Sequence, residues 1–482
     1  MKIRDKIGLG ITSFLLPYMQ NHSEIRGVNM PRKELEYNNY ALQEKYLWFL
    51  GNEDLLVDFY NTRTQSYTTI DTKKSYYYSN VNEKIRIVHS GLPSLISYSK
   101  ANLLLSGGVN EVVNYKEEED EEKTELLKKI LKDNEKTKLL TSAITTESWG
   151  GSFAFKISFD KEVSQYPIVE KYTPLNSKVI KKRGRVHEIV FIEHYEGYEL
   201  EEVYGWGYVN YKLFRTKGGK KVEVPLNSIP ETAELEEMKF DNDIMLAMCK
   251  ETQKSDYNGL IAEFDAIDEI WSQLMDEVRT GRAETYVPEI LMDNKQFNDF
   301  RKKYVVTGTD LKENGKNEIT HNQPDIRTAS YTQALLAVRD NILACVGLSP
   351  ITIGVNEGVG SNSSGEALTK REIVSLRTRN QMISTWEEFL SEFYLLLLKS
   401  YYWYEKKTYT DLEVKVTFED YITPEKNEVV ERVIKLRDAE VIDAERSLKE
   451  LYGDELSEEE KVRILQNTGN ISFMSDDDVR SA

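Results

Sequence analysis

Histidine, cysteine and paired carboxylates are the residues best suited to acid–base, nucleophilic or metal chemistry, and in this 482-residue chain none of them falls into a working pattern. There are five histidines, His22, His89, His187, His194 and His321. No H-E-x-x-H, C-x-x-C or G-x-S-x-G occurs around them or elsewhere. His187 and His194 share a strand-like segment, where seven residues put them ~23 Å apart and on opposite faces, as ordinary sheet histidines. Cys249 lies in the apolar run 244–249, and Cys345 follows Ile342-Leu343-Ala344. Two such cysteines make no disulfide framework or metal spacing and read as buried thiols in a reducing compartment.

The loop Ile351 to Gly365 (ITIGVNEGVGSNSSG) invites comparison with a phosphate cradle. However, the third glycine of a Gly358-x-Gly360-x-x-Gly motif falls on Ser363, and no Gly-Lys pair precedes Ser or Thr. Gly315-Lys316 is followed by Asn317, and Gly219-Lys220 by Lys221. Any two of the 81 acids could serve a glycosidase at ~5–10 Å, which keeps an acidic carbohydrate-active hydrolase as the alternative. So many acids pair by chance, so that signal has almost no specificity. The reading is therefore of no catalytic residue, no metal site and no cofactor.

Lys and Arg number 63 against 81 Asp and Glu, a formal net charge of −18, which excludes a protein that grips nucleic acid through clustered cations. With 40% hydrophobic residues and 11 prolines, the chain is built to fold, and its length calls for several parts. The amino end, Met1 to Leu16, imitates a signal peptide faintly, but Gly8, Gly10, Thr12 and Ser13 interrupt it and no cleavage site follows. No run approaches the ~20 apolar residues of a membrane span. An unprocessed, intracellular protein is expected.

The elements follow from periodicity. Lys33 to Tyr60 reads as two short amphipathic helices broken at Gly51-Asn52, and Val88 to Leu105 as another. The run Lys116 to Lys123 (KEEEDEEK) reads as a solvated helix start, its acids at the positive end of the dipole. From Trp149 the period changes to two, giving an antiparallel β-region over about 150–225. Leu260, Ile261, Phe264, Ile267, Ile270, Trp271, Leu274, Met275 and Val278 then recur at three- and four-residue steps, with Asp265 and Asp268 among the acids expected on the opposite face. A small α/β insert, a returning helix from about Tyr331 to Val346, and the glycine-rich loop follow. Ser363-x-x-Glu366 is a capping box opening a helix to about Tyr404, charged early and apolar late. Leu412 to Phe418 alternates as one strand, and charged helices close the chain. The fold class is α+β.

This order of parts resembles the portal proteins of tailed bacteriophages, particularly siphophages of Gram-positive hosts. The resemblance rests on Trp48-Phe49-x-Gly51-Asn52 with Phe59-Tyr60, His89-Ser90-Gly91-Leu92-Pro93 and Lys100 to Gly108 (KANLLLSGG). It also rests on Trp149-Gly150-Gly151-Ser152 and Ser364-Gly365-Glu366-Ala367-Leu368, and runs from about Tyr37 to about Leu465. It implies a mainly helical portal fold: a wing over 1–250, a stem helix 251–282, a small α/β clip 283–330, a second stem helix 331–347, and a tunnel loop 348–365. A long wing helix and strand over 366–420 and crown helices over 421–482 complete it.

What the resemblance further implies is a homo-oligomeric ring, normally of twelve, at one capsid vertex of the virion, assembled in the host cytoplasm without a membrane. Double-stranded DNA would pass through it without sequence-specific binding, during packaging and ejection. Terminase, scaffolding, major capsid and head-completion proteins would be its partners, and ATP hydrolysis would belong to the terminase. Gly354, Asn356, Glu357, Gly358, Gly360, Asn362 and Ser364 would face the DNA. Leu260, Phe264, Ile267, Trp271 and Leu274 would form a stem stripe at a subunit interface or in the core, and Arg327 and Arg339 would be basic positions in the tunnel.

The residues read independently agree. The loop has four glycines over 354–365, one acid and no cation, as a segment bending beside DNA without clamping it requires. An acidic wall repels phosphate and makes a low-friction conduit.

Overall fold

The computed structural model describes residues 32–62, 75–79, 85–217, 220–240, 243–252, 254–281, 284–288, 305–307, 319–322, 325–355, 365–407 and 411–419, with 433, 437, 446 and 447. It divides into one unit of residues 1–356 with 374–418, and another of 357–373 with 419–482. The expected crown falls almost wholly outside the described residues. So does most of the clip, including its polar turn at 312–316.

The first unit opens with helices α1 (Arg32–Leu50) and α2 (Glu53–Thr62), broken at Gly51 as the sequence indicates. Gly51 has a left-handed φ of 64°, and an added Cβ would lie 2.6 Å from the His89 ring, so the break is set by close approach as well as by turn geometry. A short helix α3 (Tyr76–Ser79) precedes α4 (Leu92–Leu105). The expected helix from Val88 starts four residues late: Gly91 is left-handed and Pro93 occupies the first turn, where a missing N–H costs nothing.

The acidic run at 116–123 differs from its expected form. Lys116 and Glu117 both take positive φ and turn the chain from β1 (Val109–Tyr115) into β2 (Glu118–Glu119). Only then does Asp120 cap α5 (Glu121–Asp133), its carboxylate accepting the Lys123 N–H at 3.0 Å. Helix α6 (Lys136–Gly150) follows.

The β-region is antiparallel and extends beyond the expected boundary near 225. Strands β3 (Ser152–Ser158) and β4 (Ile168–Tyr172) form a sheet with β11 (Ala247–Glu251). Strands β5 (Ser177–Lys182), β6 (Arg185–Tyr195), β7 (Tyr198–Gly205), β8 (Tyr208–Lys217), β9 (Lys220–Val224) and β10 (Met238–Lys239) make the larger sheet, in the order β10-β8-β7-β6-β5 with β9 also on β8. His187 and His194 both lie on β6, with side chains 45% and 13% exposed, as opposite faces require.

Helix α7 (Ile261–Thr280) leads to a small mixed sheet of β12 (Glu284–Pro288), β13 (Val305–Thr307) and β14 (Thr320–Asn322). Helix α8 (Thr328–Val346) returns, and α9 (Gly365–Tyr404) runs 40 residues, ~60 Å. Strand β15 (Leu412–Phe418) pairs antiparallel with β1, Val109 opposite Phe418 and Tyr115 opposite Leu412.

The late part of α9 is the centre of the core. Trp386 stacks on Phe153 of β3 at 5.6 Å, and Phe393 lies 4.6 Å from Phe155. Leu390, Leu397 and Leu398 are fully buried beside them. The apolar late part of this helix is thus its core-facing part.

Candidate functional site

Helices α7 and α8 form an antiparallel hairpin that carries the small mixed sheet at its open end. At that end the Arg327 guanidinium forks onto Glu277, Nε at 3.2 Å from Oε1 and Nη2 at 3.4 Å from Oε2. Bonded in this way, Glu277 is held below the usual carboxylate range. Gly281, where the chain leaves α7, lies against Ile326, where it comes back.

Burial along α7 is graded. Leu260, Phe264, Ile267 and Leu274 of the expected stripe are buried, and Trp271 is half-buried. Met275 and Val278 are 40% and 45% exposed, so the stripe continues past the core of the single chain. Arg339 bonds the neighbouring Asp340 at 2.8 Å. Both basic positions expected in a tunnel therefore carry a carboxylate at their side.

The acids of α7 are not all on a solvated face, which corrects the sequence reading. Asp265 and Asp268, three residues apart, are 7% and 0% exposed. Asp265 accepts from the Ser75 hydroxyl at 2.9 Å and the Tyr76 N–H at 2.8 Å. Asp268 accepts from the Tyr77 hydroxyl at 2.7 Å and the Ser90 N–H at 2.8 Å, and its Oδ2 lies 2.7 Å from His89 Nδ1. Ser272, one turn on, accepts the Val88 N–H at 2.8 Å. The two carboxylates and this serine thus tie segments 75–77 and 88–90 along the hairpin. Burial pushes Asp265 up to about 7, its hydrogen bonds only partly opposing this.

The trio Tyr77–His89–Asp268 has the groups of a proton relay without access. His89 is 6% exposed, and its Nε2 is buried with no partner, against Gly51. No substrate atom can reach it, so the arrangement positions helices and does no acid–base work.

The turn after α8 is clamped to α9. Gly347, left-handed at φ 71°, gives its carbonyl to the Thr378 hydroxyl at 2.7 Å, and a Cβ there would meet that oxygen at 2.4 Å. Ser375 accepts the Ser349 N–H at 2.7 Å and shares a hydrogen bond with Thr352. Residues Pro350–Ile353 make a short 3₁₀ turn that ends at Gly354 (φ 85°). Gly354 is the one expected loop residue described there; Asn356, Glu357, Gly358, Gly360, Asn362 and Ser364 lie outside the described residues.

Other candidates for chemistry are inert. Cys249 is partly buried in β11, and desolvation raises its thiol to about 12, away from any nucleophilic role. Cys345 is exposed rather than buried, since it lies off the Ile342, Leu343 and Val346 face of α8. Carboxylate clusters are spent on cations: Lys156 lies between Glu170 at 2.9 Å and Glu202 at 3.5 Å. No group of three potential ligands able to hold a metal occurs among the described residues, and no described helix is long and apolar enough to cross a membrane.

Sequence reasoning missed Asp265 and Asp268. Their signal was present: each adjoins a stripe residue, Phe264 or Ile267, so each sits at the margin of the apolar face rather than opposite it.

Comparison with known proteins places the chain by family. Residues 58–471 match the family model described as "Phage portal protein, SPP1 Gp6-like". No curated protein matches. Among solved structures, a chain from the neck of an empty gene transfer agent particle, computed with C6 symmetry, is 11% identical with a TM-score of 0.41, covering 77% of this chain and 92% of that one. A chain from the native gene transfer agent virion is 10% identical at 0.41, covering 76% and 95%. One from the native neck computed with C12 symmetry is 10% identical at 0.39, covering 78% and 93%.

Proposed function

The chain belongs to the SPP1 Gp6-like family of phage portal proteins, and on that premise we propose that its copies close into a ring, of twelve, at one vertex of the capsid of a siphophage of a Gram-positive host. It is a structural protein of the virion and not an enzyme, which removes the hydrolase alternative. Duplex DNA enters and leaves through the ring, without sequence-specific contacts. Terminase and then head-completion proteins dock on the clip, 283–330, while scaffolding and major capsid proteins meet the outside. Assembly takes place in the host cytoplasm.

Within this reading α7 and α8 are the stem, 348–365 the tunnel loop, and 421–482 the crown. The β-region and late α9 are the wing. The observation that carries it, beyond family membership, is the graded burial of α7. Trp271, Met275 and Val278 continue an apolar stripe onto a surface that a neighbouring copy would cover. Arg327 and Arg339, each beside an acid, would present little net positive charge to passing DNA.

The test is the mass and shape of the purified protein, alone and co-expressed with its scaffolding protein. Native mass spectrometry and negative-stain imaging should show closed rings with a central channel. A monodisperse monomer in both preparations, across salt and concentration, would overturn the ring.

A further inference from the structure

A cleft of about 610 Å³ lies between α5 and the end of α9. Tyr115, Tyr166, Tyr401 and Tyr402 line it, with Lys129 and Lys407. The volume is in the range of clefts that hold small molecules or short peptide segments.

It brings together polar groups with unspent hydrogen-bonding capacity. The four tyrosine hydroxyls have no hydrogen-bond partner among the described residues, and neither ammonium has an ion-pair partner there. Several buried or half-buried lysines of the unit are committed to carboxylates instead: Lys100 to Asp256, Lys136 to Glu111, Lys156 to Glu170, Lys250 to Glu147. Lys123, on the same wall, is likewise held by Asp120 and stands over the Tyr115 ring at 4.5 Å. In a chain of net charge −18, this wall carries Lys123, Lys129 and Lys407 against Glu122, and Lys129 and Lys407 have no ion pair among the described residues.

We propose that this cleft docks an acidic peptide segment of a partner protein, two carboxylates meeting Lys129 and Lys407 and the tyrosine hydroxyls, and an apolar side chain between them resting on Leu126. Charge complementarity argues for carboxylates, and the half-buried leucine in the wall argues for a peptide that brings apolar and acidic groups together. A nucleic acid is the poorer occupant. The wall offers two cations without an ion pair among the described residues, with Glu122 beside them, which matches one or two carboxylates and not the run of cations that a continuous phosphate backbone needs. The cleft is formed within one chain, so the proposal does not depend on the ring.

Fluorescence anisotropy on the purified full-length protein tests it with three labelled probes. These are a peptide alternating aspartate with phenylalanine, its asparagine-for-aspartate counterpart, and an oligothymidylate. The acidic peptide should bind saturably, and the amide peptide should not. Lys129→Gln with Lys407→Gln, both exposed, should weaken binding about tenfold, as the loss of two charge-assisted contacts requires, with Tm unchanged. Equal binding of the two peptides, affinity unchanged in the double variant, no saturable binding, or displacement of the peptide by oligothymidylate would each overturn the proposal.

Discussion

Asp265 shows how far a single side chain can depart from what its letter suggests. Written among Glu263, Asp268 and Glu269 it looks like surface charge; in the fold it is buried under Ser75 and Tyr76. That burial could not be read from α7, because the residues that cover it lie nearly two hundred positions earlier in a tyrosine-rich segment with no periodicity. The energetic consequence has a sign. Asp265 is raised from 3.8 to about 7, so the folded protein binds a proton more readily than the unfolded chain. Its contribution is fully present below the unfolded value and is lost as pH rises through about 7, with a limit of ~4 kcal/mol. In Asp265→Asn the amide can accept from Tyr76 and donate to Ser75 without titrating. Thermal unfolding from about pH 5 to about pH 8 should therefore cost the native protein more Tm than the variant. Parallel profiles would show that Asp265 does not titrate between those limits.

At the scale of elements, the legible parts were those whose pattern is local. The α7 stripe, the two environments of α9, and the alternation of β15 all follow from spacing, since one face or one end of each must meet the core. In the acidic run at 116–123 the helix start with its acids at the positive end was legible, but the hairpin before it was not, because a left-handed pair, Lys116 and Glu117, has no strong residue signature. The clamp between Gly347–Thr352 and Ser375–Thr378 was invisible, being made of single hydroxyls meeting backbone. It has a consequence for the loop between. The turn after α8 is anchored to α9 by three hydrogen bonds that involve none of residues 356–362. Deleting Asn356 to Asn362 should leave ring assembly intact while reducing packaged DNA, measured as genome content per particle. Loss of rings in that variant would show that the loop is part of the assembly interface.

For the whole molecule, the proposed ring makes net charge bear on what would pass through it rather than on what binds. With 63 cations against 81 anions, and with Arg327 and Arg339 each beside a carboxylate, the proposed ring would present DNA with few unbalanced cations. Proteins that hold a duplex release counterions from each phosphate they neutralise, so their affinity falls by ~10³–10⁵ between about 50 and 200 mM salt for six to ten contacts. A conduit should show the opposite behaviour: weak association even at low salt and a shallow salt dependence. The cleft between α5 and α9 adds Lys129 and Lys407, without an ion pair among the described residues, in a wall that also holds Glu122. Assembled rings titrated with linear duplex DNA in a mobility-shift experiment should give no retained complex at ~150 mM salt, and a log–log salt slope much shallower than that of a clamp. A tight complex with a steep slope would mean that a basic ring lines the passage, and that the acidity serves solubility instead of transit.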